Sequence, residues 1–189
     1  MKIFIMVISR FQKIWYRFKK FGSGSFIKPF SIRIFGAKHV SVGKECFFGS
    51  GLTLIASDRF MGKQHWPVCV FGDRCGFGAD LVVSCTNTIR IGDDVIGSAR
   101  VFIGDSYHGY ENVGVPVSRQ PMSGEAAVEI GDGCFLGIGS VILPGTTLGR
   151  GCYVAPNAVV SGRFGNYTLI AGNPARAIRM FNPEEGAWT

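Results

Sequence analysis

Apolar residues recur every six positions through the C-terminal half of the chain. Ile130, Leu136, Ile142, Leu148, Val154 and Val160 lead successive hexads. Cys134, Ser140, Thr146, Cys152, Ala158 and Phe164 stand fifth in each, and five of these six are small. An α-helix would need apolar positions about 3.6 residues apart, and a solitary alternating strand gives no reason for the Gly that follows Ile130, Leu136 and Leu148. A six-residue beat predicts a short strand, a corner and another short strand, the hexapeptide form of parallel β-helix. Three hexads close one triangular coil, with the leading aliphatics stacked inside and backbone pairing running from coil to coil. The expected fold is all-β.

The same phrase, an apolar residue, Gly, two variable residues and then Cys, marks the chain elsewhere. It reads Val42-Gly-Lys-Glu-Cys46, Phe71-Gly-Asp-Arg-Cys75, Ile130-Gly-Asp-Gly-Cys134 and Leu148-Gly-Arg-Gly-Cys152, with a Val variant at Ile91-Gly-Asp-Asp-Val95. Leading residues also stand at Phe48, Phe77, Val83 and Ile103. These earlier runs fall out of phase with one another, so loops must interrupt the coils around residues 56–67 and 104–127. Long loops inside a compact repeat array are where function concentrates.

Composition narrows the picture. A chain of 189 residues with 47% hydrophobic content fits one domain with an elongated core. Four of the six cysteines occupy one repeated interior position, where Cys acts as a small buried hydrophobe, so they imply free thiols and a reducing compartment. No C-x-x-C occurs, and no metal is expected.

The net charge of +7 is uneven: residues 1–38 hold nine Lys or Arg and no acid, and the remainder holds eleven basic and thirteen acidic residues. The run Ile3-Phe-Ile-Met-Val-Ile8 is followed by Arg10, Lys13, Arg17, Lys19 and Lys20, interleaved with Phe11, Ile14, Trp15, Tyr16, Phe18 and Phe21. It is too short to span a bilayer, which takes about 20 apolar residues, and too quickly charged for a signal peptide. It reads as a basic amphipathic helix over residues 1–22, ahead of a single β-helix domain with a C-terminal tail over 23–189. Such a helix either lies on an anionic membrane through residues 1–21 or caps the open end of the coils. Nucleic acid is not an expected partner, because the charge is confined to one segment and no nucleic-acid motif is present.

With the repeat drawn, the chain resembles the hexapeptide-repeat acyltransferases over about residues 35–179. The likeness is strongest in Val128-Glu-Ile-Gly-Asp-Gly-Cys-Phe-Leu-Gly, Ile142-Leu-Pro-Gly-Thr and the closing Ala171-Gly-Asn-Pro-Ala-Arg-Ala-Ile-Arg179. The resemblance implies a left-handed coil. It also implies a general base at the start of the second excursion, often within Asp-His-x-His-Gly-Tyr. Here Asp105, His108, Gly109 and Tyr110 match, and Ser106 replaces the first histidine. His108 is thus the expected base, and Asp105 either orients it or binds a substrate hydroxyl. An imidazole, with an ordinary pKa near neutrality, suits removal of a hydroxyl proton as attack on a thioester begins. Backbone amides at a Gly-rich corner serve the oxyanion. No side chain reads as a covalent nucleophile, so direct transfer in a ternary complex is expected. His39 and His65 read as surface or loop residues, with His65 at most lining the acceptor pocket beside Trp66.

By the same resemblance, acetyl-CoA lies in a groove between two protomers of a homotrimer. It would touch Gly137, Ile138, Ala155, Pro156, Ser161 and Gly162, with Arg176 and Arg179 on its phosphates. Phe135 stands where the family often has Trp, and Gly172 and Pro174 are expected in the turn that takes the chain off the prism. The implied activity is O-acetylation of a sugar hydroxyl in bacterial surface polysaccharide (O-antigen or capsule) synthesis, on the cytoplasmic side and at most peripherally on the inner membrane. The alternatives are N-acetylation of an amino-sugar nucleotide, a non-catalytic scaffold, and a zinc hydrase of the γ-carbonic anhydrase type.

Overall fold

The computed structural model describes residues 2–189, with backbone alone for residues 2–6, 9 and 10. Met1 and the side chains of residues 3–6 and Arg10, part of the expected amphipathic helix, lie outside the described residues. The fold is the expected left-handed parallel β-helix. Face one stacks Lys20–Phe21, Val40–Val42, Val68–Phe71, Thr88–Ile91, Val128–Ile130, Thr147–Leu148 and Arg163–Phe164. Face two stacks Phe26–Ile27, Phe47–Phe48, Gly76–Phe77, Ile96–Gly97, Phe135–Leu136, Tyr153–Val154 and Thr168–Gly172. Face three stacks Arg33–Phe35, Thr53–Ala56, Val82–Cys85, Phe102–Gly104, Val141–Ile142 and Val159–Val160. The six leading residues from Ile130 to Val160 are all buried in one axial core.

The Gly of each phrase has a steric cause. Where face one turns into face two, successive backbones lie so close that a β-carbon on Gly131 would sit 2.7 Å from the Gly149 carbonyl carbon. The fifth residue has a polar one. The thiols of Cys46, Cys75, Cys134 and Cys152 donate to the carbonyls of Gly72, Gly92, Gly149 and Gly165 in the next coil, at 3.0, 3.1, 3.1 and 3.0 Å. Ser25 opens this ladder, donating to Gly43 O at 2.7 Å, and Thr168 closes it on Gly165 O at 2.9 Å. With Val95 as the exception, the position at this corner takes a small donor, and Cys is one way of supplying it.

All six cysteines are free and buried. Contact with a neighbouring thiol and, after it, burial raise Cys75, Cys85 and Cys134 above the usual thiol range. The same thiol contacts lower Cys46 and Cys152 to about 7, so it is burial, common to all six, that leads a thiol-specific disulfide reagent to be expected to titrate none of them in the native protein and all six in denaturant. Rapid labelling of the native state would show that the ladder opens.

Helix α1 (Lys2–Tyr16) lies over the first coil. Gln12, buried, donates from Nε2 to Ile27 O (2.6 Å) and accepts the Ile27 N–H at Oε1 (3.0 Å), so it satisfies a strand edge that has no coil above it. The capping role is thus realised, and the chain enters its first coil at Lys20. At the other end Thr168–Gly172 folds back on Ala175–Asn182 through Asn173 and Pro174, the expected turn, with Gly172 at φ +102°.

Candidate active site

Both excursions leave the same edge of the prism, between faces three and one. The first runs from the end of Thr53–Ala56 to Val68, the second from the end of Phe102–Gly104 to Val128. They are two coils apart, about 10 Å at the usual strand spacing. Between them lies the short corner of Thr86 and Asn87.

The second excursion is braced from its neck outward. Ala126 N–H donates to Asp105 O (2.9 Å), and Tyr107–His108 pairs antiparallel with Met122–Ser123. Gly109 N–H donates to Pro121 O (2.9 Å), and a β-carbon on Gly109 would meet that same oxygen at 2.5 Å, which accounts for Gly after His108. Buried Gln120 donates to Asn112 O (2.9 Å) and Val115 O (2.7 Å), filling the loop's interior with its own hydrogen bonds. His108 stands on the rigid hairpin, exposed, with its ring edge-on to Phe60 at 5.5 Å.

Phe60 belongs to the first excursion, a hairpin of Arg59–Phe60 and Lys63–Gln64. The two loops are tied again at Glu125, whose Oε1 accepts from Lys63 Nζ (2.8 Å) and lies 3.2 Å from His65 Nδ1, close but out of line for a hydrogen bond. His65 is thus buried, not a surface residue, because it fills the seam between the loops. Trp66 beside it is exposed. His39 pairs with Asp58 at 3.1 Å. Lys38 and then His39 hold Asp58 well below the usual carboxylate range, at about 2.

Asp105 is fully buried and does not meet His108 among its hydrogen-bond partners. Its Oδ1 accepts from Thr86 N (2.8 Å) and Oγ1 (3.3 Å), and its Oδ2 from Asn87 N (2.9 Å). Ser106 accepts from Thr86 Oγ1 (2.9 Å). The carboxylate therefore pins the start of the loop to the preceding coil.

The expected donor residues divide between two edges and a face. Ser161 and Gly162 lie on the His108 edge, two coils further along. Gly137, Ile138, Ala155 and Pro156 lie on the edge between faces two and three, where the amides of Gly137 and Ala155 are occupied by Val154 O and Ile170 O, each at 2.8 Å. Arg179 lines an apolar cavity of about 310 Å³ with Tyr153, Leu169 and Trp188, while Arg176 donates to Ala175 O. Phe135 stacks on Tyr153 at 4.7 Å, keeping an apolar wall there. A cavity of about 610 Å³ lies at the far end, lined by Tyr16, Arg17, Phe35, Gly36, Ala37, Lys38 and Asp58. There Lys38 Nζ pairs with Asp58 Oδ2 at 2.7 Å. Among the described residues, no three His, Cys, Asp or Glu side chains gather as metal ligands.

The sequence locates both loops and puts His108 on the second, as observed; it reads His65 as a surface or loop residue and gives no sign of the Phe60 contact or the Glu125 link. No local motif marks them, because coil stacking alone brings them together.

Residues 127–162 match the family of bacterial transferase hexapeptides (six repeats). WbbJ of Escherichia coli K12, named for O-acetyl transfer in lipopolysaccharide biosynthesis, is 31% identical over 155 residues, 79% of this chain and 76% of that protein. Rv3034c of Mycobacterium tuberculosis, named as an acetyltransferase, is 33% identical over 122 residues. This covers 65% of the present chain but only 40% of that relative's length. Among solved structures, a mutant of AntD, an N-acyltransferase from Bacillus cereus bound to coenzyme A and a dTDP-amino sugar, superposes with a TM-score of 0.69. It covers 94% of this chain and 91% of AntD, and at 15% identity the likeness is one of fold.

Proposed function

Because this chain belongs to the hexapeptide-repeat acyltransferase family, we propose that it transfers an acetyl group from acetyl-CoA to a sugar hydroxyl in the synthesis of a bacterial surface polysaccharide such as O-antigen or capsule. The observation that carries this reading is His108, an exposed imidazole on a self-braced hairpin, backed by Phe60 from a second loop. In this mechanism His108 takes the hydroxyl proton as the oxygen attacks the thioester carbonyl. The tetrahedral intermediate then collapses, expelling the CoA sulfur, and the imidazolium returns the proton to that thiolate. Asp105 acts as a positioning residue that fixes the neck of the His108 loop. Glu125 holds the two loops together.

The donor groove is completed by a second copy. Gly137, Ile138, Ala155 and Pro156 lie on one edge and Ser161 and Gly162 on another, and a groove between two copies would bring the two sets to one donor. The outward positions favour a threefold partner. Face two presents Phe26, Phe47, Ile96, Phe135, Tyr153 and Leu169 in register, and face three presents Val82, Phe102, Val141 and Val159. Face one instead presents Lys20, Arg90, Glu129 and Arg163. Two apolar faces meeting at one edge suit a homotrimer in which face two of each copy meets face three of the next. Arg176 and Arg179 then serve the donor phosphates. The free buried thiols suit the cytoplasmic side, with the basic N-terminal end toward the membrane.

The test is acceptor-dependent release of free CoA from acetyl-CoA across a panel of saccharides. The expected product carries an ester that mild alkali removes. An alkali-stable acetyl amide would transfer the reading to N-acetylation, and no acceptor-dependent release with any saccharide would remove it.

A further inference from the structure

The helix that caps the prism has a second face. Gln12 is clamped to Ile27, and Ile8 and Tyr16, four residues to either side, are partly covered with it. At 3.6 residues per turn, this turns Val7, Phe11, Ile14 and Trp15 away from the coils. These four are each 63–75% exposed, and the rings of Phe11 and Trp15 stack at 5.7 Å. Large apolar side chains gathered in one bare stripe call for a partner.

Charge identifies it. Lys13, Arg17, Lys19, Lys20, Lys28 and Arg33 surround this end, none is in an ion pair among the described residues, and residues 1–38 contain no acid. A second copy docked end to end would oppose two such basic surfaces and repel. An anionic surface would neutralise them. Fifteen helical residues reach about 22 Å, short of the roughly 30 Å hydrocarbon core, so the helix fits the plane of the interface rather than crossing it. Among the described residues no helix is long and apolar enough to cross a membrane.

We propose that this end of the prism docks on an anionic lipid bilayer. Phe11, Ile14 and Trp15 enter the boundary between headgroups and acyl chains, and the surrounding Lys and Arg meet lipid phosphates. The inward and outward faces of one helix thereby divide two tasks, closing the core and holding the protein at a membrane. In the threefold assembly proposed above, three such ends share one side, which multiplies the attachment.

Vesicle flotation of the full chain tests this without donor or acceptor, so its outcome is separate from that of the acyl-transfer reading. Wild type is expected to float with phosphatidylcholine vesicles containing about one-third phosphatidylglycerol at low salt, and to be released as salt shortens the Debye length to about 3–4 Å. With Trp66 and Trp188 changed to Phe, Trp15 emission should shift to the blue on binding. Phe11→Ser/Trp15→Ser should cut partitioning at least tenfold while circular dichroism and thermal midpoint stay as in wild type. Lys13→Gln and Lys28→Gln should each cost about fivefold on the anionic vesicles only. No flotation with anionic vesicles, or equal flotation of wild type and Phe11→Ser/Trp15→Ser, would overturn the proposal. So would a doubling of mass in solution that the same double variant abolishes, which would assign the stripe to a second copy.

Discussion

His108→Ala is expected to lower acceptor-dependent acetyl transfer by about 10²–10⁴-fold, the range for losing a general base. The fold should not notice. The imidazole is exposed, its contact is the Phe60 ring edge, and the hairpin beneath it is held by Tyr107–His108 pairing and by Gln120, which use no atom of the imidazole. A surface change of this kind stays within about 0.5 kcal/mol of wild-type stability. The loss should fall on kcat with KM for acetyl-CoA unchanged, since the proton is moved only as the transition state forms. Added imidazole should restore part of the rate, because the space left beside Phe60 opens to solvent. Equal rates for wild type and His108→Ala would remove the base from the mechanism.

The fold was legible because the core is periodic. Six leading residues in phase dictate six short strands in two stacked coils, and the loss of phase before residue 128 locates both loops to within about a residue of where they leave the coil. The cysteines marked the register but hid its chemistry. Ser25 does the same work at the start of the ladder, and Thr168 at its end turns back on Gly165 of its own corner, yet neither resembles Cys by eye; the shared property is a small donor facing a corner carbonyl. The site was legible only where a motif is local. His108, Gly109 and Tyr110 are adjacent, whereas Phe60 and Glu125 meet their partners across 48 and 62 residues, a proximity fixed by coil geometry. Asp105 shows the converse: the sequence allows it either to orient His108 or to bind a substrate hydroxyl, and the structure has its carboxylate hydrogen-bonded to Thr86 and Asn87 of the preceding coil.

That placement makes a second large effect predictable. Asp105→Ala removes the acceptor for the buried Thr86 N–H and the half-buried Asn87 N–H, and leaves the Thr86 hydroxyl with Ser106 alone. Each buried donor left unsatisfied costs about 1–3 kcal/mol, so unfolding free energy should fall by roughly 2–4 kcal/mol. Asp105→Asn keeps the shape and one carbonyl acceptor but turns an NH₂ group toward an N–H, and should lose about half as much. Activity measured below the thermal midpoint should also fall in both, because the neck that aims the His108 hairpin is loosened. The distinction between positioning and direct substrate contact lies in the double variant. If Asp105 acts through His108, Asp105→Asn/His108→Ala should be no slower than His108→Ala alone, since a misdirected base that is already absent has nothing further to lose. If Asp105 itself binds the acceptor, the double variant falls below the single one and KM for the acceptor rises with it. The burial of both carboxylate oxygens against Thr86 and Asn87 supports the first outcome.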